Sequence, residues 1–178
     1  MTLYFATALL SMFFTGQDDA ERMLRLVTAD QPLVHSVVVD APVKKVWEAY
    51  TTTSGIISWM VPKGEVALRV GGYLRTSYSK DSKLTGPDVI ENTILAFDPE
   101  RMISIKCTKM PDKFPFKKAM ENVWTVLYFK PVGDKKTEVV CRMIGFDGTG
   151  ESVQMKNFFR QGNQQEFDML TKYFKSKR

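Results

Sequence analysis

Residues 40–50 read DAPVKKVWEAY, and this stretch, with the later pair Gly71-Gly72, decides the fold. Its apolar residues recur at intervals of three and four, the spacing of one face of an α-helix; they are Val43, Val46, Trp47 and Tyr50. Asp40 suits the cap of this helix and Pro42 its first turn. The Gly-Gly pair predicts a turn that leads into a new strand.

The composition is that of an ordinary globular domain. The chain has 178 residues, of which 44% are hydrophobic and 25% charged, enough for one domain with a short extension. The net charge of +5 is spread over small separate groups of lysines, so we predict no nucleic-acid partner. Two cysteines and one histidine exclude a disulfide framework and a multi-cysteine metal site. We expect no metal and no cofactor.

The N-terminal segment differs from the rest of the chain. Residues 3–14 form an apolar run that is too short to span a bilayer but has the length of a signal-peptide core. We therefore interpret residues 1–19 as an export signal or an apolar N-terminal extension, and residues 20–32 as a linker. An exported location is favoured over a cytoplasmic one, and no stable membrane insertion is expected. The alternatives are an N-terminal helix packed on the domain and simple disorder.

Strand patterns dominate the middle of the chain, and the last segment is helical. The predicted strands are residues 33–39, 73–79, 89–97, 102–108, 123–130 and 137–146. Their short connections favour an antiparallel meander. From residue 151 onward, apolar residues at helical spacing predict an amphipathic helix of about six turns. The prediction is an α+β domain over residues 33–176, in which a curved antiparallel sheet wraps around this long C-terminal helix.

The order of these motifs resembles that of the SRPBCC (START-like) superfamily, in particular the branch similar to the C-terminal domain of the heat-shock-protein-90 ATPase activator. The resemblance covers residues 33–174. It rests on residues 40–50, Gly71-Gly72, residues 90–95, Asp98-Pro99-Glu100-Arg101 and residues 124–129. It implies a helix-grip fold, with short helices after the first strand and an internal cavity between the sheet and the C-terminal helix. It says much less about the contents of the cavity, and the partner that we expect there is a small apolar or lipid-like molecule.

Candidate ligand-binding residues are the aromatic side chains that such a fold would place around the cavity, together with one glycine. They are Trp59, Tyr78, Phe116, Trp124, Phe158, Phe159 and Gly162. The alternative is that the aromatic residues simply fill the core. Gly162 either lets the helix approach the sheet closely or leaves a gap between them. Residues 109–118 carry two phenylalanines among prolines and lysines, which indicates a stiff loop folded back on the domain or a lid over the cavity.

No catalytic residue is predicted, because no nucleophile elbow, phosphate-binding loop or zinc motif occurs. His35 has the parity of an apolar strand face and could point inward or outward. Glu91 lies on a central strand, where burial would raise its pKa, but an exposed position is expected. The function we expect is therefore binding of a small hydrophobic molecule without catalysis. The alternatives are a cyclase- or hydrolase-type enzyme, using a buried pair such as Glu91 with Arg75 or His35, and a co-chaperone-like interaction protein whose partner the sequence does not identify.

Overall fold

The computed structural model describes residues 30–177. The predicted export signal at residues 1–19 and most of the predicted linker therefore lie outside the described residues. The strands are β1 (Leu33–Val39), β2 (Lys63–Val66), β3 (Tyr73–Ser77), β4 (Ile90–Asp98), β5 (Met102–Lys109), β6 (Trp124–Pro131) and β7 (Thr137–Ile144). The helices of this region are α1 (Val43–Thr51), α2 (Thr53–Trp59), α3 (Lys117–Met120) and α4 (Gly150–Lys175).

The strands form one antiparallel sheet in the order β1-β7-β6-β5-β4-β3-β2. Alternation of side chains gives the sheet an inner face that packs on the core and an outer face. On β1, Leu33 and Val39 are buried and face inward, whereas Val34 and Val38 are exposed. The predicted α+β architecture is confirmed. The sequence prediction missed β2, a strand of four residues at the edge of the sheet.

The C-terminal helix α4 covers part of the inner face. It has 26 residues, about one turn more than predicted, and it packs against β1, α2 and α3. Met155, Phe167 and Leu170 are buried on its inner side. The side chain of Thr149 accepts a hydrogen bond from the backbone N–H of Ser152 and so caps the start of the helix.

Helix α1 packs its apolar side on the inner face of the sheet, as the sequence predicts. Trp47 meets Phe129 of β6 edge to face, with ring centroids 5.4 Å apart. The capping position is held by Pro42. Asp40 lies before it and pairs with Lys136, whose Nζ is 3.4 Å from the Asp40 carboxylate.

The Gly71-Gly72 pair forms the predicted turn before β3. Gly71 has a φ of +71°, a conformation that favours glycine. A Cβ on Gly72 would lie 2.0 Å from the backbone oxygen of Ala67, so no larger residue fits there. Gly71 is therefore needed for its backbone conformation, and Gly72 is needed because the backbone of Ala67 lies so close.

Candidate functional site

The inner face of the sheet is covered unevenly. Inward-facing residues of β6 and β7, such as Leu127 and Val139, are buried. Ile90 and Asn92 of β4 and Ile105 of β5 also face inward but are only partly buried. Other inward residues of these strands, such as Leu74, Ile94 and Ile103, are buried, so the cover of the inner face varies from residue to residue.

A gap lies beside Gly162 on α4. A Cβ added there would meet no atom within 4 Å. Phe158, Gly162 and Glu166 follow one another at intervals of four residues, so they lie on the same side of the helix. The gap is therefore flanked by Phe158 one turn before it and by Glu166 one turn after it. The open space argues against a close approach of the helix to other atoms at Gly162, and the gap between helix and sheet stays a prediction.

Four phenylalanines form an aromatic cluster at the Phe158 end of this gap: Phe114, Phe116, Phe158 and Phe159. The ring centroid of Phe114 lies 5.7 Å from that of Phe116 and 6.0 Å from that of Phe158. The rings of Phe158 and Phe159 are 5.4 Å apart, and Phe158 remains 50% exposed. Residues 109–118 thus fold back onto α4, and three of the predicted site residues come together.

A polar cluster lies at the other end of the gap and consists of Tyr50, Cys141, Asn163 and Glu166. Tyr50 of α1 is 2% exposed, and its ring packs edge to face against Trp59 at 5.0 Å and at an inclined angle against Phe129 at 5.5 Å. Its hydroxyl lies against the Glu166 carboxyl, and each group affects the pKa of the other. The contact lacks the geometry of a regular hydrogen bond, so the Tyr50 hydroxyl has no hydrogen-bond partner in the described part of the chain.

The Glu166 carboxyl is withdrawn from water although the residue as a whole is only partly buried. Desolvation raises the pKa of this carboxyl from its ordinary 4.5 to about 7, and the Tyr50 hydroxyl lowers it by a smaller amount. Desolvation also raises the pKa of the Cys141 thiol, and the charge of Glu166 adds to that effect. Near neutral pH, Glu166 can therefore hold or release a proton.

Asn163 and His35 border the same region. The Asn163 Nδ2 lies 3.7 Å from the Cys141 Sγ and 3.6 Å from the Met143 Sδ, and sulfur is a weak hydrogen-bond acceptor. His35 is opposite Cys141 in the pairing of β1 with β7, so it faces inward. Its Nδ1 is buried and has no hydrogen-bond partner among residues 30–177. Desolvation, and then the charge of Arg160, lower the pKa of His35.

Two further predicted site residues lie near the polar cluster, and one does not. Trp59 is half-buried, and its Nε1 donates to the backbone oxygen of Ala49 at 3.0 Å. Tyr78 is 73% exposed, yet desolvation and then the charge of Glu166 raise its pKa. Trp124 has the strand parity of Val126 and therefore lies on the outer face, away from α4.

Glu91 lies on the outer face of the sheet. It forms an ion pair with Arg75, which is also 3.8 Å from Glu65. The register of β4 with β5 shifts between Glu91 and Asn92 and again between Ile94 and Ala96. These irregularities change which residues of β4 point inward. The hypothetical interior pair of Glu91 with Arg75 or His35 is therefore not formed.

The polar cluster is not evident from the sequence pattern. The helical spacing places Tyr50 only on the apolar side of α1, and no motif points to Glu166 or Asn163. A signal for Glu166 does exist, because this carboxylate lies four residues after Gly162 and four before the buried Leu170 on the inner side of a helix. Among residues 30–177, no group of three or more His, Cys, Asp or Glu side chains could hold a metal ion. In the same range, no helix is long and apolar enough to cross a bilayer.

A separate surface groove of about 720 Å³ lies between α1, α2 and the C-terminal end of α4. It is lined in part by Lys45, Glu48, Ser58 and Tyr173. These groups bind one another: Lys45 pairs with Glu48 at 3.3 Å, and the Ser58 hydroxyl donates to the Tyr173 hydroxyl at 2.9 Å. The groove does not include Gly162 or the polar cluster. None of the ligand-binding residues predicted from the sequence lines this groove.

Solved structures with the same fold come from several organisms. The protein MLL2253 from Mesorhizobium loti is 18% identical, with a TM-score of 0.65 over 83% of this chain and 99% of that chain. The Aha1 dimer from Colwellia psychrerythraea is 13% identical, with a TM-score of 0.56 over 79% of this chain and 96% of that chain. An HSP90 activator from Plasmodium falciparum is 16% identical, with a TM-score of 0.53 over 74% and 89% of the two chains. At these identities the likeness shows the fold alone.

The family assignment rests on sequence. Among curated proteins, none matches this chain in sequence. The model of the family "Activator of Hsp90 ATPase homolog 1-like protein" matches residues 40–175, which is most of the chain. The match begins at Asp40, the first residue of the stretch that predicts the fold, and ends in the last turn of α4. The chain therefore belongs to the Activator of Hsp90 ATPase homolog 1-like family, a branch of the SRPBCC superfamily.

Proposed function

We propose that this domain binds a small, mainly apolar molecule in the space beside Gly162, between α4 and the inner face of the sheet. The observation that carries the proposal is the open space at Gly162, where an added Cβ would meet nothing within 4 Å. The aromatic cluster bounds one end of this space and the polar cluster the other. Small-molecule sites typically combine apolar walls with a few polar groups in this way.

The length of the gap sets the size of the molecule. Phe158 and Glu166 are eight residues apart on α4, which corresponds to about 12 Å along the helix axis. A phenyl ring with a four-carbon chain fits this length. We expect the ring or chain to contact Phe116, Phe158 and Phe159, with Trp59 and Tyr78 near the other end. Trp124 is not part of the proposed site, because it lies on the opposite face of the sheet.

Filling the gap tests the proposal. We expect Gly162→Leu to weaken binding of the fluorescent apolar probe N-phenyl-1-naphthylamine by about tenfold or more, a difference of about 1.4 kcal/mol. Gly150→Leu is the matched control, since Gly150 lies in the same helix and an added Cβ there also meets nothing within 4 Å. Leucine favours a helix over glycine by about 0.8 kcal/mol, so neither variant should unfold the domain.

Equal probe affinities in wild type, Gly162→Leu and Gly150→Leu would contradict the proposal. Equal losses in both leucine variants would contradict it as well, because the effect would then not depend on the gap. Loss in Gly162→Leu alone supports it.

A hydrolase-type activity is the second candidate, and Glu166 favours it. A carboxyl with a pKa of about 7 beside a tyrosine hydroxyl can serve as general acid or base near neutral pH. The test reaction is hydrolysis of phenyl butyrate, in which water attacks the ester carbonyl and phenol leaves. This candidate predicts butyrate release above the rate in buffer, and loss of that excess in Glu166→Gln. Release at the buffer rate by the wild-type protein would contradict it.

A further inference from the structure

The two edge strands of the sheet differ in how they are protected against pairing with another chain. At one edge, β2 has four residues and carries the charges of Lys63 and Glu65. At the other edge, β1 has seven residues, LVHSVVV, with no Asp, Glu, Lys, Arg or Pro. Short length and charged side chains are common means by which proteins block an edge strand. Strand β1 has neither.

The outer edge of β1 is open. This strand pairs with β7 on one side, and no backbone group in the described part of the chain pairs with its other side. The side chains of Val34, Ser36 and Val38 point to the outer face of the sheet. Val34 is 49% exposed and Val38 is 51% exposed. A strand added at this edge would pair with the backbone and remove both valines from water.

The sequence of β1 is complementary to itself about Ser36. In an antiparallel pairing of two copies centred on Ser36, Val34 of one copy lies opposite Val38 of the other. Two-fold symmetry forms this valine pair twice. Moving the centre by one residue would set Ser36 opposite a valine and lose both valine pairs. The apolar contacts therefore favour one register.

The charges on β7 fit the same register. Arg142 lies beside Val34 and Glu138 beside Val38 on the outer face. Arg142 has no ion-pair partner among residues 30–177. Neighbouring strands are about 4.8 Å apart, so three strand spacings place the backbone of Arg142 about 14 Å from that of Glu138 of the second copy. The two long side chains can bridge this distance over the valines, so opposite charges would meet on both sides of the two-fold axis.

We propose that β1 pairs antiparallel with β1 of a second copy of this chain, about a two-fold axis at Ser36, and joins the two sheets into one continuous sheet. Two strands of seven residues bury less than the about 1,600 Å² of a standard interface, so the dimer is weak and reversible. The pairing uses neither Gly162 nor the aromatic cluster, so it does not rest on the proposed function.

Sedimentation velocity of the full-length protein between about 1 µM and about 100 µM, a range suited to weak association, measures the dimer. We expect Val34→Lys to raise the dissociation constant about tenfold or more, because it removes both valine pairs and adds a cation beside Arg142. Leu95→Lys is the matched control, since Leu95 is an exposed apolar residue on β4, and it should leave the dissociation constant unchanged.

A charge swap tests the register. Arg142→Glu should weaken the dimer several-fold, because it sets like charges in one row across the axis. The double variant Arg142→Glu/Glu138→Arg should recover most of the loss, which a purely structural effect of either substitution would not do.

Crosslinking tests the position of the axis. Ser36→Cys should form covalent dimers with 1,2-bis(maleimido)ethane, because the two thiols would face each other, and the two native cysteines are buried. Thr108→Cys is the control, at an exposed position on β5, and should remain monomeric on the gel.

A protein that sediments as a monomer over the whole range would overturn the proposal. If Ser36→Cys also resists maleimide in that case, another part of the same chain covers the edge. A dimer of equal strength in wild type and Val34→Lys would overturn the proposal as well, since a different surface would then form it. None of these outcomes bears on the Gly162→Leu test of the proposed function.

Discussion

The Tyr50 hydroxyl lies against the Glu166 carboxyl, which brings together a residue of α1 and a residue of α4 on the inner side of the fold. The pair is withdrawn from water, and the Tyr50 hydroxyl has no regular hydrogen bond to any described residue. Burying a polar group without a full set of hydrogen bonds reduces stability. The buried Tyr50 hydroxyl therefore adds little to the stability of the domain.

The first prediction concerns the pH dependence of stability. The pKa of Glu166 is about 7 in the folded domain and near 4.5 when the carboxyl is exposed to water. The folded state thus binds the proton more tightly, so the stability contributed by neutral Glu166 is fully present below pH 4.5 and is lost as pH rises through 7. The difference corresponds to at most about 3 kcal/mol.

Urea unfolding at pH 5 and pH 8 checks this prediction. We expect the free energy of unfolding of wild type to decrease more over this range than that of Glu166→Gln, which has no proton to lose. Glu121→Gln changes an exposed carboxylate at the end of α3 and serves as the control. The same pH dependence in wild type and Glu166→Gln would contradict the assignment of Glu166 as the desolvated group.

The second prediction compares two buried hydroxyls. The Tyr50 hydroxyl has no hydrogen-bond partner in the described region, whereas the Thr137 Oγ1 donates to the backbone oxygen of Ala41 at 2.8 Å. Tyr50→Phe should change the free energy of unfolding of the empty protein by less than about 1 kcal/mol, while Thr137→Val should lower it by about 1–3 kcal/mol. Denaturant unfolding measures both changes. A larger loss of unfolding free energy in Tyr50→Phe than in Thr137→Val would show that the Tyr50 hydroxyl is hydrogen-bonded within the protein.

The third prediction concerns the segment 109–118. Phe114 packs against three other rings of the aromatic cluster, and each such pair contributes about 0.5–1.5 kcal/mol. Phe114→Ala should loosen this segment and speed trypsin cleavage at Lys113 and Lys117. Leu95→Ala, at an exposed position on β4, is the control. Cleavage in Phe114→Ala that is as slow as in the control would mean that the aromatic cluster does not hold the segment.

The fourth prediction concerns Glu91, which the enzyme alternative would need as an interior carboxylate, although the sequence favours an exposed position. It pairs with Arg75 on the outer face, where an ion pair with partly exposed side chains contributes about 0.2–1 kcal/mol. Glu91→Gln should therefore lower the free energy of unfolding by less than about 1 kcal/mol and leave binding of N-phenyl-1-naphthylamine unchanged. Reduced probe binding in Glu91→Gln would contradict the proposed site, because it would place the ligand on the outer face of the sheet.

Most of the fold is predictable from sequence because its elements are long and regular. The six predicted strands and α4 are present, since alternating or helical spacing of apolar residues reflects burial on one side. Strand β2 has only four residues, too few for alternation to be recognised. The inward or outward direction of Glu91 could not be predicted, because irregular pairing on both sides of β4 residues 92–94 shifts the parity of the strand.

The candidate site is less predictable because it depends on tertiary packing. Aromatic character and helix spacing point to Phe116, Phe158, Phe159 and Gly162, and the structure brings the three rings together. Trp124 was included for its aromatic ring, although strand parity places it on the other face. The contact of Tyr50 with Glu166 joins residues far apart in sequence, and no local pattern predicts it. Only the position of Glu166 on the inner side of α4 was a usable signal.

The most direct test of the account is an NMR titration of the amide-labelled, full-length protein with butylbenzene. If the molecule binds beside Gly162, the largest chemical-shift changes will be at the amides of residues 158–166 and of residues 114–116. Shift changes confined to the groove lined by Lys45, Glu48 and Tyr173, or no saturable changes at all, would contradict the proposed site.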